Sequence, residues 1–135
     1  MDLWFTPSEN SQVHLESLSF EGFVEFDIAT KTQIKQGGDY VRGAKYALSK
    51  QFNLKYGING VLQGSLPVGG ISSSAAVLIA YVMAFAKANG ISLKPFEVVL
   101  IASEAEREYI GLNNGLLDQA CIALGQKNSL LFLRL

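Results

Sequence analysis

From Ala75 to Ala86 the chain is apolar throughout, apart from the hydroxyl of Tyr81. A helix that is apolar on every side has to be buried on every side. The run is too short to span a bilayer, which takes about 20 such residues. The rest of the chain must therefore build layers around it. Enough apolar material is present, since 49% of the residues are hydrophobic and 17% are charged. That balance offsets chain entropy and excludes disorder as the main state. The length of 135 residues suits one ordinary domain or part of a larger one.

The order of patterns gives the fold class. Val13, Leu15 and Leu18 alternate with His14, Glu16 and Ser17. Phe20, Phe23, Val24 and Phe26 then alternate loosely with Glu21, Glu25 and Asp27, and Gly22 fits a bulge or bend. Period-two patterning predicts two or three antiparallel strands between Leu3 and Ile28. Gly37 and Gly38 break it, and Asp39 is a plausible N-cap. From Tyr40 to Tyr56 the spacing becomes helical. Tyr40, Val41, Ala44, Leu48 and Phe52 share one side, Arg42, Lys45, Ser49 and Lys50 are left to solvent, and Gly57 suits the C-cap. Ile58 to Leu66 reads as a strand. Helices follow over Ser72–Asn89, ending at Gly90, over Leu93–Ile110 with Pro95 in the first turn, and over Leu116–Leu124, stopped by Gly125. Ser129 to Leu133 is expected to be a final strand. Strands come first and helices cluster later, so the class is α+β. No repeat or low-complexity linker interrupts the chain.

Charge and cysteine content narrow the function. A net charge of -1 offers no basic stripe for nucleic acid. The single Cys121 excludes an intrachain disulfide framework and fits a reducing, cytoplasmic setting. Met1 to Pro7 is acidic and aromatic, which is not a signal peptide, and no segment reads as membrane-spanning.

Two segments carry chemistry. In Pro67-Val68-Gly69-Gly70-Ile71-Ser72-Ser73-Ser74 a strand enters a glycine turn, three serines follow, and a helix starts. The first turn of a helix has unsatisfied N–H groups and a partial positive charge. Glycines allow close approach of backbone to ligand. This is the composition of a phosphate cradle, and it is not a Walker A loop. It is equally the composition of a tight turn before a heavily capped helix. One serine suffices for a cap, however, and a helix this apolar has a buried N-terminus whose donors need partners. The second segment is Glu104 to Gln119. Glu104, Glu106 and Glu108 crowd a helix end, where negative charge opposes the dipole. Glu104 and Glu108 read as a solvated face beside Arg107. Asp118 lies among Leu116, Leu117, Ala120, Cys121 and Ile122. A carboxylate there is costly unless paired or functional, or it is simply a first-turn residue favoured by the helix N-terminus.

Taken in order, these stretches resemble the GHMP kinases, and within them the galactokinase branch. Leu66–Ala76 resembles the family's phosphate-binding loop, and Glu106–Gln119 resembles the stretch that runs from a glutamate to Gly-Ile-Met-Asp-Gln. Gly125-Gln126-Lys127 with Leu130-Leu131, and Asp39-Tyr40-Val41-Arg42-Gly43, also have counterparts. The resemblance covers roughly Asp39 to the C-terminus. It implies the α+β fold of the GHMP kinase N-terminal domain (ribosomal protein S5 domain 2-like), with a mixed or antiparallel sheet and helices on one face. It implies ATP and Mg2+ as cofactors and a small sugar as substrate. Pro67, Val68, Gly69, Gly70, Ile71, Ser72, Ser73 and Ser74 would hold the ATP phosphates. Ser74 and Glu106 would position magnesium. Asp118 would act on the sugar hydroxyl, and Gly115 with Asp118 would contact the sugar. The loop is one residue shorter than in galactokinases. The early Gly-Glu-His-x-Asp-Tyr-like sugar-binding stretch and a C-terminal domain have no counterpart in the chain. Residues 1–135 are therefore expected to be a partial N-terminal domain, inactive alone, of an enzyme that phosphorylates a sugar, with the galactose C1 hydroxyl first in line. Alternative acceptors are arabinose, a uronic acid, a heptose phosphate or mevalonate. Rival readings on the same fold are a non-catalytic sugar or nucleotide sensor and an inert fold piece.

The remaining notable residues read as structural. His14 is expected to face solvent and Cys121 to be a small core residue. Trp4 and Phe5 are expected to cover a strand edge, which if exposed is a surface for self-association.

Overall fold

A computed structural model of the chain describes residues 1–18, 23–30, 39–64 and 73–134. Four strands, β1 (Asp2–Pro7), β2 (Gln12–Ser17), β3 (Phe23–Asp27) and β4 (Ile58–Gln63), form one sheet in the order β1-β4-β2-β3. β2 and β3 pair antiparallel, with Leu15 opposite Val24. β1 does not pair with β2. β4 inserts between them, antiparallel to β1 and parallel to β2. The expectation of antiparallel strands near the N-terminus thus holds for β2 and β3, and β1 finds its partner from a later part of the chain.

The register sorts the side chains. Leu3, Phe5, Val13, Leu15, Val24, Phe26, Ile58 and Leu62 belong to the core. On the opposite face stand Trp4, His14 and Phe23, with Trp4 and Phe23 both more than 60% exposed. Trp4 lies on the edge strand β1 but on this open face, whereas Phe5 packs against the core.

Helices cover the other face. They are α1 (Tyr40–Ser49), α2 (Ser73–Ala88), α3 (Pro95–Glu104) and α4 (Leu117–Leu124). The apolar run lies within α2, and Ala75, Leu78, Val82, Ala84 and Phe85 are buried. α2 contacts α1, α3, α4, β1 and β4, which accounts for an apolar surface on nearly every side. Asp39 caps α1 by accepting from the Arg42 backbone N–H at 3.1 Å. At the start of α3 the Lys94 N–H donates to Glu97 Oε2 at 2.6 Å.

Four expectations change. First, α1 ends at Ser49 rather than Tyr56. Beyond it, the N–H groups of Lys55 and Tyr56 go to Asn89 Oδ1, at 2.8 and 2.9 Å, instead of to helix carbonyls. Second, Gly57 is not a C-cap. Its N–H donates to Asn10 O and its own carbonyl accepts from Ser8 N, both at 2.9 Å. A Cβ there would lie 1.9 Å from Gln12 O, so only glycine lets the two backbones meet. Third, Lys45 is buried, not solvent-facing, and its Nζ donates to Thr30 O at 3.1 Å. That burial pushes its pKa down. Fourth, the described residues from Ser129 onward form no strand, and Leu130 and Phe132 are exposed. A strand needs a ladder partner, and the described sheet has β1 and β3 as its edges.

Candidate active site

The expected helix over Leu93–Ile110 is two structures. α3 runs to Glu104, and a π-helix continues over Ala105–Ile110. The Glu106 carbonyl closes it by accepting from both Gly111 N and Leu112 N, each at 3.0 Å. Gly111 then adopts φ 84°, a left-handed conformation that side chains disfavour. π-helical turns are rare and tend to occur at functional positions. Here the wider turn buries Ala105, Glu106 and Tyr109 together.

Glu106 is 2% exposed. Its Oε2 accepts from Gln119 Nε2 at 2.6 Å, in a buried bond between the π-helix and α4. Among the described residues no cation pairs with it. A buried carboxylate with one neutral donor is incompletely compensated. Oxygen ligands of this kind suit a hard divalent cation, so the donor set fits magnesium.

Asp118 and Gln119 are consecutive in the first turn of α4 but face opposite ways. Asp118 is exposed, while Gln119 is 1% exposed. Of the two readings of Asp118, the first-turn position holds and the apolar burial does not, because Leu117 and Ile122 are themselves exposed. Ser74 occupies the first turn of α2 and is half-buried. Gly115 is exposed, and a Cβ there would meet nothing within 4 Å. No hydrogen bond or ion pair links Ser74, Glu106 and Asp118 to one another among the described residues. Pro67, Val68, Gly69, Gly70, Ile71 and Ser72 lie outside the described residues, as does Gly22, and of Ser73 only the helical backbone is described.

The neighbouring carboxylates are not a free solvated face. Lys50 Nζ of α1 pairs with Glu104 at 3.0 Å and also with Glu108, whose Oε2 additionally accepts from Tyr46 Oη at 3.3 Å. Arg107 is a distant partner of Glu108, at 3.9 Å. Lys50 holds the Glu108 carboxyl below its usual range and is itself held more strongly protonated. At the other end of α1, Asp39 pairs with the Arg42 guanidinium, which also lies 4.8 Å over the Phe26 ring. Burial, with a contribution from Asp39, pushes Tyr81 up to about 12 and raises Tyr109.

One further assignment is corrected. Cys121 is exposed rather than a core residue, because α4 buries Gln119 and Ala120 instead. His14 faces the open side of the sheet as expected, with Nδ1 2.6 Å from Glu25 Oε1 and Nε2 3.1 Å from Glu16 Oε1. Gln119 is the site residue that its sequence context does not single out. The signal available is that a glutamine in a short apolar helix needs a polar partner if it faces inward.

Chemically, the arrangement offers a sequestered carboxylate for a cation and an accessible carboxylate on an adjoining helical turn. Comparison with known proteins agrees with this architecture. The model of the GHMP kinases N-terminal domain matches residues 39–126. A galacturonokinase of Arabidopsis thaliana is 40% identical over 97% of this chain and 36% of its own length. A galactokinase of Thermococcus kodakarensis is 32% identical over 92% of this chain and 36% of its own length. The crystal structure of Lactococcus lactis galactokinase complexed with galactose superposes with a TM-score of 0.79 at 25% identity, over 92% of this chain and 34% of that one. The chain thus spans little more than a third of these relatives. No helix among the described residues is long and apolar enough to cross a membrane.

Proposed function

The chain belongs to the GHMP kinase family, and on that basis we propose that the full-length product of its gene transfers the γ-phosphate of ATP to a sugar hydroxyl, with Mg2+ as cofactor. Residues 1–135 are read as part of the N-terminal, ATP-binding domain. The observation that carries the reading is the buried Glu106, without a cationic partner among the described residues and held by Gln119 one residue from the exposed Asp118.

The roles are those that the family resemblance implies, and they suit phosphoryl transfer, which depends on positioning and charge stabilisation. The segment from Pro67 to Ser74 cradles the ATP phosphates with backbone N–H groups and serine hydroxyls. Ser74 and Glu106 hold Mg2+, which supplies charge neutralisation at the phosphates. Asp118 accepts the proton of the attacking hydroxyl, or orients it, as that oxygen bonds to the γ-phosphorus and ADP leaves. Its exposure gives a sugar direct access, and the open space over Gly115 leaves room for one.

Galactose, phosphorylated at C1, is the acceptor suggested by the sequence motifs. The 40% identity to a galacturonokinase favours a second reading, in which the acceptor is galacturonic acid. The two differ only in a carboxylate at C6, so one assay separates them. The full-length gene product is incubated with Mg-ATP and, in turn, galactose, galacturonate, arabinose and mevalonate, and ADP release is followed. Turnover with one of the two galacto-configured acceptors is expected, and turnover with neither overturns the reading. The 135-residue chain alone is expected to show none.

A further inference from the structure

The Gln119 amide has only one sensible orientation. An ionised carboxylate offers acceptors alone, so the atom 2.6 Å from Glu106 Oε2 must be the amide nitrogen. That choice turns the amide oxygen Oε1 away, and Oε1 is buried with no hydrogen-bond partner among the described residues. Native proteins rarely leave a buried amide oxygen unpaired, and such an atom calls for a missing donor.

We propose that Gln119 is a positioning residue for the cation site. It holds Glu106 by Oε2, which leaves the other carboxylate oxygen for the divalent cation. Its own Oε1 accepts a hydrogen bond from a water carried by that cation. Mg2+ and its analogues keep several waters when bound to protein. Carboxylates that ligate metals are themselves commonly held by hydrogen bonds, and loss of such a holder weakens metal binding about 10–100-fold. The proposal rests on the reading of Glu106 as a cation ligand.

The test uses the full-length gene product, with Mn2+ as the probe for the divalent cation and ATP present. Free Mn2+ is read by electron paramagnetic resonance. Gln119→Met keeps the length of the side chain and removes both polar atoms. Its Mn2+ dissociation constant is expected to rise tenfold or more. A merely structural Gln119 would lower the thermal midpoint in chelator but leave the Mn2+ constant within twofold, and that result overturns the proposal. Glu106→Gln separates the role of Gln119 from that of its partner. If it weakens Mn2+ binding and Gln119→Met does not, only the role of Gln119 falls. If Glu106→Gln binds Mn2+ as wild type does, or wild type does not bind it, the reading of Glu106 falls as well. A measurement on the wild type guards against a variant that does not fold. In 15N-labelled protein the Gln119 side-chain NH2 signals are expected to broaden away on addition of substoichiometric Mn2+. Signals that stay sharp refute the proposal.

Discussion

Asn89 offers the most discriminating test of how the chain holds its architecture. It follows α2 directly, and its side-chain amide is hydrogen-bonded through both its oxygen and its nitrogen. Oδ1 accepts from the N–H groups of Lys55 and Tyr56 at 2.8 and 2.9 Å. Nδ2 donates to the carbonyls of Tyr56 and Phe85, both at 2.9 Å. The amide therefore clamps the segment that enters β4 to the end of α2. A typical hydrogen bond contributes about 0.5–1.5 kcal/mol net. The bonds to Lys55 and Tyr56 are accessible to water and belong at the lower end, so the sum is about 2 kcal/mol.

Asn89→Asp is sharper than truncation because it keeps the shape. The carboxylate can still accept from Lys55 and Tyr56, but its second oxygen then faces two carbonyls that had received donors. The expected loss at pH 7 is about 2 kcal/mol. With a slope of roughly 1.5 kcal/mol per M urea, the midpoint falls by about 1.3 M. Protonating the new carboxyl restores one donor, so the deficit relative to wild type should shrink below about pH 4. Equal urea midpoints for wild type and Asn89→Asp at pH 7 would refute the clamp. A deficit that does not shrink at low pH would show that the loss is not one of donors.

The other predictions are independent of it. Gly57→Ala places a methyl group 1.9 Å from Gln12 O, so a cost of about 3 kcal/mol, near the top of the range for overpacking, is expected in chemical denaturation. Hydrogen bonds to Glu16 and Glu25 favour the protonated form of His14 and raise its pKa from the ordinary value of 6.5. Its stabilising contribution is thus complete below pH 6.5 and disappears as pH rises through the elevated folded value. NMR titration of the imidazole should show that elevated value, and Glu25→Gln should lower it. Cys121 is exposed and should react with a thiol reagent in native buffer within about tenfold of the rate in denaturant; strong protection would contradict the orientation of α4.

What could be read from the sequence was local. α2, Gly90, Gly125 and the Asp39 cap were legible because their cues lie within a turn or two of the structure they specify. The order of β1 and β4 was not, since alternation identifies a strand but not its partner. Lys45 has the composition of a surface position on α1. It is buried because another part of the chain brings the Thr30 carbonyl to it, and periodicity within one helix does not register that. The π-helix has no composition of its own, and the residues of Ala105–Ile110 simply extend the helical pattern of α3.

The same limit applies most strongly at Asp118 and Gln119. Consecutive residues on a helix differ by about 100° in direction, so one can face in while its neighbour faces out. The sequence shows an acid and an amide side by side without showing which is which. α4 has 8 residues, and helices much shorter than about 12 residues are marginal alone. Its orientation is therefore set by packing on α2 and α3, by the buried Ala120 and by the bond from Gln119 to Glu106. Rotating α4 enough to bury Asp118 would break that bond and expose the amide. The bond from Gln119 to Glu106 thus joins the packing of α4 in turning Asp118 outward.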